Sequence, residues 1–357
     1  MTVTADQREV IHHVEANIDA AFTWDYDRSR DSLVRLYEKA KTSQWNVTTD
    51  LPWETDVDPE KIAAELSMGT TARFQTLGDL PGSPVAHFGD KEWLKVGVEI
   101  QNSLLSQFLH GEQGALLCTA RIVETVPWID AKYYAATQVM DEARHVEVAG
   151  EHLDEKLESQ YSINPNLKSL LDDILGDTRW DITYLGMQIM VEGLALAAFG
   201  LMRQTTSEPL LQQLLRYVMS DEARHVAFGV LSLQEFYKEL THAELRERQE
   251  FAFDAACRLQ QRFMQVEVWE RMGVDPEAIR KLIDENPRPE QQIFQTMLFS
   301  KIVPNVKKLG LLDGADGWLR ERFTEIGVIQ FEDWVDTGEE YAELDEVAKD
   351  RAAAASR

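Results

Sequence analysis

One eight-residue phrase occurs twice in this sequence, and it carries side chains that bind metals. The copies span residues 140–147 and 220–227, and both contain Asp-Glu-Ala-Arg-His-Val. Each copy holds a glutamate and a histidine three positions apart, which are neighbours on one face of an α-helix. The pairs are Glu142 with His145 and Glu222 with His225. Each copy therefore predicts half of a metal site.

Two further carboxylates, Glu112 and Glu192, are separated by the same offset as the two copies. Each precedes a Glu-x-x-His pair by the same interval and has apolar flanks, such as Ala-Leu-Leu-Cys after Glu112 and Ile-Met-Val before Glu192. A carboxylate buried among such residues is costly unless a cation accompanies it. Two pairs in the same context favour one shared metal centre over two coincidentally charged helices. The predicted metal ligands are Glu112, Glu142, His145, Glu192, Glu222 and His225.

The types of ligand indicate which chemistry the metals would support. Carboxylates suit iron and manganese, and one imidazole per metal leaves coordination positions free for dioxygen. A structural zinc site would normally use cysteines. The six ligands are therefore predicted to act in oxygen activation, through the metals that they hold.

Helices must position these ligands, and the apolar periodicity predicts an all-α bundle of four over residues 90–240. The predicted helices span residues 90–126, 128–159, 178–204 and about 208–240. In that order they carry Glu112, the first Glu-x-x-His pair, Glu192 and the second pair. Each ligand lies near the middle of its helix, where packing can fix the side chain.

The N-terminal region, residues 1–89, predicts elements that pack on this bundle. Amphipathic patterns at about residues 6–22 and 29–41 predict two helices. Residues 45–57 predict an extended arm, and we expect its tryptophans to pack against the bundle rather than to bind a ligand.

The C-terminal region, residues 241–357, predicts additional helices of the same domain. Thr241 has the spacing of a capping box, and the helix that it opens is predicted to continue to Gly273. Another helix is predicted after Pro289, with a kink at Pro304. The last ten residues show no apolar pattern and are expected to be disordered.

Charge and composition narrow the class of protein. The net charge is −26, from 62 acidic and 36 basic residues, which argues against nucleic acid and anionic membranes as partners. Two cysteines, Cys118 and Cys257, give no disulfide framework. The N-terminus lacks the pattern of a signal peptide, and no apolar run approaches the length of a membrane span. We therefore expect a soluble, cytoplasmic protein.

The ligand pattern resembles the ferritin-like superfamily, in which two helices each give one Glu and two others each give a Glu-x-x-His. Within it, the chain resembles oxygen-activating di-iron proteins: multicomponent monooxygenase hydroxylases, acyl-carrier-protein desaturases and ribonucleotide reductase small subunits. The doubled Asp-Glu-x-Arg-His and the interval from Glu112 to Glu142 are most similar to the monooxygenase hydroxylases. The resemblance covers about residues 90–240. It implies a ferritin-like four-helix bundle that binds two iron ions, with manganese or a mixed iron and manganese pair also compatible.

The resemblance also implies partners for the two histidines. A ligating histidine usually gives its second N–H to a carboxylate. The expected pairs across the bundle are His145 with Asp221 and His225 with Asp141. Arg144 and Arg224, which directly precede the histidines, would neutralise these acids. The alternative is that the Asp and Arg residues form a solvated, charged helix face.

Two positions depart from particular relatives. Reductase small subunits that store a tyrosyl radical carry the tyrosine one turn after the first ligand histidine, where this chain has Ala149. Arylamine N-oxygenases carry a seventh ligand histidine one turn before the last Glu-x-x-His, where this chain has Val218. Ferritins and rubrerythrins have much shorter bundles. These departures disfavour radical storage, the N-oxygenase subgroup and an iron-storage cage.

Counting helical turns from the ligands predicts which side chains face the metals. They are Phe108, Ala115, Leu116 and Thr119 on the first helix and Gln188, Ile189, Ala195, Leu196 and Phe199 on the third. Such residues fit an apolar substrate pocket, in which Thr119 or Gln188 would offer a hydrogen bond near bound oxygen. Thr119 is therefore a candidate catalytic residue. Equally, the small residues could simply let the helices pack closely.

Together these observations predict a di-iron oxidase or oxygenase, of the monooxygenase kind, that uses O2 and an external electron donor on an apolar or partly apolar small organic substrate. The relatives suggest a homodimer. Three alternatives stay open: a desaturase of carrier-bound acyl chains, a ferroxidase or metal-handling protein without an organic substrate, and a reductase-like redox subunit that serves another chain.

Overall fold

The computed structural model describes residues 11–67, 72–157, 159–286 and 297–334, and within these ranges it contains helices and no strand. The helices are Asp31–Thr42 (α1), Val47–Asp50 (α2), Pro59–Ser67 (α3), Ala72–Gln75 (α4), Asp90–Thr125 (α5), Ile129–His152 (α6), Pro165–Gly176 (α7), Trp180–Thr205 (α8), Pro209–Phe236 (α9), His242–Gln261 (α10), Val266–Arg271 (α11), Pro276–Glu285 (α12), Val303–Lys308 (α13) and Trp318–Glu325 (α14). The predicted all-α fold is confirmed.

Four long helices, α5, α6, α8 and α9, form the bundle at the centre of the molecule. Helix α5 packs on α6 and α8 packs on α9, and contacts between α6 and α9 and between α5 and α8 complete the bundle. Helix α1 covers the edge between α6 and α9, and α10 packs on α8. The bundle has the ferritin-like arrangement predicted from the sequence, because its four helices carry the two single glutamates and the two Glu-x-x-His pairs.

Local signals set the ends of the bundle helices. At the start of α5, the Glu92 carboxylate accepts a hydrogen bond of 2.9 Å from the Gly89 N–H, and the helix ends at the residue before Val126-Pro127. At the start of α9, the Glu208 carboxylate accepts from the N–H groups of Leu210 and Leu211. Pro209 occupies the first helical position, where no N–H is needed.

Helix α8 departs from regular geometry directly before Glu192. Residues Leu185–Val191 are π-helical, and regular α-helix resumes at Glu192. A π segment bonds i to i+5 and often lies at a functional site. A similar π turn, Leu153–Leu157, follows α6. Because the segment changes the number of residues per turn, the facing of residues further back from Glu192 shifts progressively from that of a regular α-helix.

One apolar helix of the described chain, α8, is long enough to cross a membrane, and 83% of its most apolar window is buried inside the structure. This is the burial of a central helix in a bundle.

The prediction of a helix at residues 6–22 is wrong for its described part. Residues 11–30 are not helical, and residues 1–10 lie outside the described ranges. The segment instead runs beside the α5–α6 turn, where the Ala21 N–H donates to the Glu124 carbonyl at 2.9 Å and the Thr23 hydroxyl to the Pro127 carbonyl at 2.8 Å. The apolar side chains of this segment have little surface to pack against, since Phe22 is 72% exposed. The next predicted helix is confirmed as α1, and the arm includes the short helix α2.

The C-terminal predictions hold in part. The capping box at Thr241 opens α10 as predicted, but the helix ends at Gln261 rather than at Gly273. A 3₁₀ turn and Gln265, in left-handed conformation with φ of 55°, separate it from α11. Pro304 lies in the first turn of α13 and does not kink a longer helix. The helix start after Pro289 and the last ten residues lie outside the described ranges.

The crossing of α8 and α9 depends on a close approach at Gly229. A Cβ added there would lie 2.7 Å from the Cβ of Gln188, which cannot rotate away. We expect Gly229→Ala to lower the free energy of unfolding by about 1–3 kcal/mol, because the helices must separate. Denaturant unfolding measures this.

Gly150→Ala is the matched control, because no atom lies within 4 Å of a Cβ at Gly150 in α6. It should raise the free energy of unfolding by about 0.5–1 kcal/mol through helix propensity. Equal effects of the two substitutions would contradict the close approach.

Candidate metal centre

The structure brings the six predicted ligand residues together in the middle of the bundle. Glu112 comes from α5, Glu192 from the end of the π segment in α8, and the two pairs from α6 and α9. All six are buried, with Glu112 the most exposed at 7%. Their ligand atoms form two overlapping groups, each within 4.8 Å: Glu112, Glu142, His145 and Glu222 in one, and Glu142, Glu192 and His225 in the other. Glu142 belongs to both groups, as a carboxylate that bridges two ions would.

Each histidine faces carboxylates with both ring nitrogens. His145 Nε2 lies 3.2 Å from Asp221 Oδ2, and its Nδ1 lies 3.2 Å from Glu112 Oε2 and 3.1 Å from Glu222 Oε1. His225 repeats this, with Nε2 3.3 Å from Asp141 Oδ2 and Nδ1 3.0 Å from Glu142 Oε1. Both expected pairs across the bundle are therefore present. If each Nε2–H donates to its aspartate, the lone pair of a neutral imidazole points from Nδ1 at the carboxylates.

The unpaired atoms of the site converge on the same space. Within the described chain, the buried atoms without a hydrogen-bond partner include Glu142 Oε2, Glu192 Oε2, both carboxylate oxygens of Glu222 and His225 Nδ1. Buried carboxylate oxygens without donors are costly. Lone pairs that face one another need a proton or a metal ion between them. The donor set of four carboxylates and two imidazoles fits two ions of the iron or manganese type.

The pKa shifts report the same crowding. Burial, together with the charge of Glu222, raises the pKa of Glu112 to about 8, and burial with Glu222 and Glu142 raises the pKa of Glu192 well above its ordinary value. Burial alone would lower the pKa of His145 and of His225, but the surrounding carboxylates raise both. The direction of these shifts favours protonated ligands when no metal is bound.

A closed group of four charges links α6 to α9 behind the histidines. Arg144 lies 2.5 Å from Asp141 and 3.2 Å from Asp221, and Arg224 pairs with Asp221 and lies 3.8 Å from Asp141. The four side chains are at most 7% exposed. The predicted neutralising contacts are thus present, and these residues do not form a solvated face.

Three polar partners of this site were not predicted from the sequence. Trp45 Nε1 donates to Asp221 Oδ2 at 2.7 Å, so this tryptophan does more than pack on the bundle. Gln44 donates to Asp141 at 3.2 Å and accepts from Arg144. Gln138 donates to Glu142 at 2.8 Å and to Glu192 at 3.1 Å. Of the three, only Gln138 could have been found from the sequence, because it lies one helical turn before Glu142 and therefore on the same face of the helix.

Two small cavities flank the ligands. The first, of about 30 Å³, lies beside Glu112 and His145 and is otherwise walled mainly by apolar side chains. Its lining includes Ala149 and Val218, the two positions where relatives carry functional residues, and a buried His152. The second, of about 20 Å³, is bounded by three of the glutamates and by Arg262. Each has room for a water-sized species.

The predicted pocket residues divide between these cavities and other places. Phe108 lines both cavities, Phe199 the first, and Ala115 and Ala195 the second. Thr119 lies outside both linings, fully buried, and its hydroxyl has no hydrogen-bond partner in the described residues. Leu116, Gln188, Ile189 and Leu196 also lie outside them. Gln188 packs against α9 instead, since a Cβ added at Gly229 would lie 2.7 Å from the Cβ of Gln188.

Comparison with known proteins gives structural neighbours only. No family model and no curated protein match the sequence. Solved structures of R2-like ligand-binding oxidase, two of them variants with anaerobically reconstituted Mn/Fe cofactor, are similar at 19% identity with TM-scores of 0.46 and 0.48, covering 80% of this chain and 94% and 95% of theirs. A form with aerobically reconstituted Mn/Fe cofactor is 17% identical with a TM-score of 0.43, covering 91% of this chain and 94% of that one. These TM-scores lie below 0.5, so the assignment of the metal centre rests on the residues of this chain and not on the similarity.

The contact between Asp221 and His145 gives a test of how the histidine is held. Asp221→Asn removes the charge that faces His145, Arg144 and Arg224. We expect metal affinity to fall by about 10- to 100-fold, because the imidazole becomes a weaker and less oriented ligand. Competition with a chelator measures it. The control Asp313→Asn breaks an exposed pair with Arg320; an equal loss there would contradict a local effect.

The raised pKa values predict how pH acts on the metal-free protein. The folded protein holds protons on Glu112, His145 and His225 that the unfolded chain releases, so its stability falls as pH rises from about 6 to 8. The lowered pKa of Glu142, where burial is outweighed by the histidines, adds no slope in that window. Metal replaces the protons, so metal affinity rises with pH.

Calorimetry at pH 6 and pH 8, with and without metal, measures both effects. Glu112→Gln should flatten the fall in Tm of the metal-free protein, since it removes one of the titrating groups. A metal-free Tm that rises over this window would contradict the assignment.

Proposed function

We propose that this protein is an oxygen-activating di-iron oxidase or oxygenase, with manganese or a mixed iron and manganese pair as compatible occupants. The observation that supports this most directly is the convergence of six buried ligands whose lone pairs lack donors, beside a cavity walled mainly by apolar side chains. Zinc in a structural role would not need an apolar space next to its ligands.

When bound, the two ions would supply a place for dioxygen and two electrons for its reduction. The balance of an oxygenase reaction is one C–H bond converted to C–OH, with the second oxygen atom released as water, two electrons from an external donor and two protons. The substrate is a small organic compound with an apolar or partly apolar body. The ligand residues, with Thr119 as an untested addition, are the proposed catalytic set.

The residues of the chain would hold the metal ligands in position and keep bulk water away from the metals. The Asp141 and Asp221 carboxylates hold the two imidazoles by their Nε2 atoms, so that Nδ1 faces the metals. Phe108, Phe199 and Leu215 give the first cavity apolar walls, which limit the access of bulk water to a reactive centre and so protect it from side reactions. A cytoplasmic location, an external donor and a homodimer belong to the proposal as well.

A ferroxidase is the second candidate, and the size of the cavities favours it. About 30 Å³ and about 20 Å³ hold water-sized species, whereas an organic substrate needs more room. A channel for an acyl chain, which a desaturase requires, is larger still.

The deciding experiment loads the protein with iron and measures metal content and oxygen uptake. About two ions per chain are expected, with oxygen uptake that depends on a reductant and increases with an organic substrate. Rapid iron oxidation with no effect of any organic compound would favour the ferroxidase. Absence of bound metal after supply of both iron and manganese would contradict the oxygenase and the ferroxidase alike.

His225→Ala is the informative variant for the same assay. It removes a ligand and leaves carboxylates that repel one another, so we expect loss of the metal pair. His242→Ala, at an exposed position in α10, is its control and should keep two ions per chain. Retention of two ions in His225→Ala would refute the ligand assignment.

A further inference from the structure

The second cavity holds a buried positive charge that the metal centre does not explain. Arg262 is 7% exposed and lines this cavity together with Glu112, Glu192 and Glu222. Its guanidinium lies 5.7 Å from the Phe108 ring centre and 5.0 Å from that of Phe263. In the part of the chain that the structure describes, no carboxylate lies within ion-pair distance of it.

The charges at the metal centre balance without Arg262. Four ligand glutamates carry the charge of two divalent ions, and the ligating histidines are neutral. The two aspartates behind them are balanced by Arg144 and Arg224. The acid that most affects Arg262 is Glu267, which raises the pKa of Arg262 but is hydrogen-bonded to Asn164, and burial outweighs it, lowering the pKa to about 10. Arg262 therefore stays charged at neutral pH, and no counter-ion contacts it within the described residues.

We propose that Arg262 binds the carboxylate of the organic substrate, which is thus a small monocarboxylic acid. This rests on the proposed function and narrows its substrate class. A guanidinium presents a planar pair of donors that matches a carboxylate. A monoanion fits better than a phosphate, because Arg262 is the one cationic side chain in the cavity lining. The same lining contains three glutamates, which would repel a second negative charge on the ligand.

The remaining lining accepts the apolar body of such an acid. Ala115, Val191 and Ala195 border the space between Arg262 and the ligands. Phe108 and Glu112 line both cavities, so the Phe108 ring stands between them. The two spaces as they stand hold only water-sized species, so binding of an acid requires the Phe108 ring to change its rotamer and to join and enlarge them; such side-chain changes are common on binding. The carboxylate would stay at Arg262 while the body lies beside the metals.

The test is binding calorimetry on the iron-loaded protein with three acids and their primary amides: propionate, hexanoate and benzoate, each against its amide. We expect at least one acid to bind about 10- to 100-fold more tightly than its amide, as for a hydrogen-bonded ion pair. Arg262→Gln should abolish this preference, and Arg262→Lys should keep part of it. The control Arg258→Gln removes a partly exposed arginine one turn earlier, paired with Asp173 and Asp254, and should keep the full preference.

The metal content of the same samples distinguishes failure of the inference about Arg262 from failure of the proposed function. Two ions per chain in the wild type without any preference for acids overturns the role of Arg262 alone. A preference that survives in Arg262→Gln also overturns it, since the acids then bind the metals directly. Loss of metal in Arg262→Gln would make the arginine a support of the ligands, which likewise overturns the proposal. A wild type that binds no metal overturns both this inference and the proposed function.

Discussion

The structure depends on how four buried glutamates that repel one another are compensated, because several of their carboxylate oxygens have no hydrogen-bond donor among the described residues. Each of their helices could pack without them, since apolar residues surround the site. Burying an uncompensated charge costs several kcal/mol, a large fraction of the stability of a typical domain. The bundle therefore requires cations that offset this cost, and the raised pKa values of Glu112 and Glu192 favour protons in that place when metal ions are absent.

The charged residues behind the ligands are compensated in the same way, each by the next residue further from the metal centre. Asp141 and Asp221 orient the histidines, Arg144 and Arg224 balance the aspartates, and Trp45 from the N-terminal arm closes the group. Each layer satisfies the one inside it. The result is a site held by rigid helices rather than by loops, which suits a centre whose ligands must keep their spacing while the metals change oxidation state.

Much of this arrangement could be predicted because it is periodic. The bundle helices follow from their apolar period, and the convergence of the ligands follows from the repeated phrase and the equal intervals that lead to it, which helix geometry converts into neighbours. Residues 11–22 misled the same reasoning, because periodicity predicts a helix only where a surface exists to cover its apolar face. The irregular turn before Glu192 was not predicted, because a π segment has no recognisable sequence signal. Trp45 and Arg262 were missed because their contacts cross long stretches of chain.

The reciprocal contacts of the two repeated phrases imply a hidden symmetry. His145 meets Asp221 while His225 meets Asp141, the exchange of partners that defines a twofold axis between identical subunits. Neither repeat completes the surroundings of its own histidine, since each borrows its aspartate from the other. Two copies of a single half, related by such an axis, would reproduce the same interior. The centre of this chain thus has the arrangement of a twofold dimer within one molecule, while the two cavities beside it differ in their linings and do not share that symmetry.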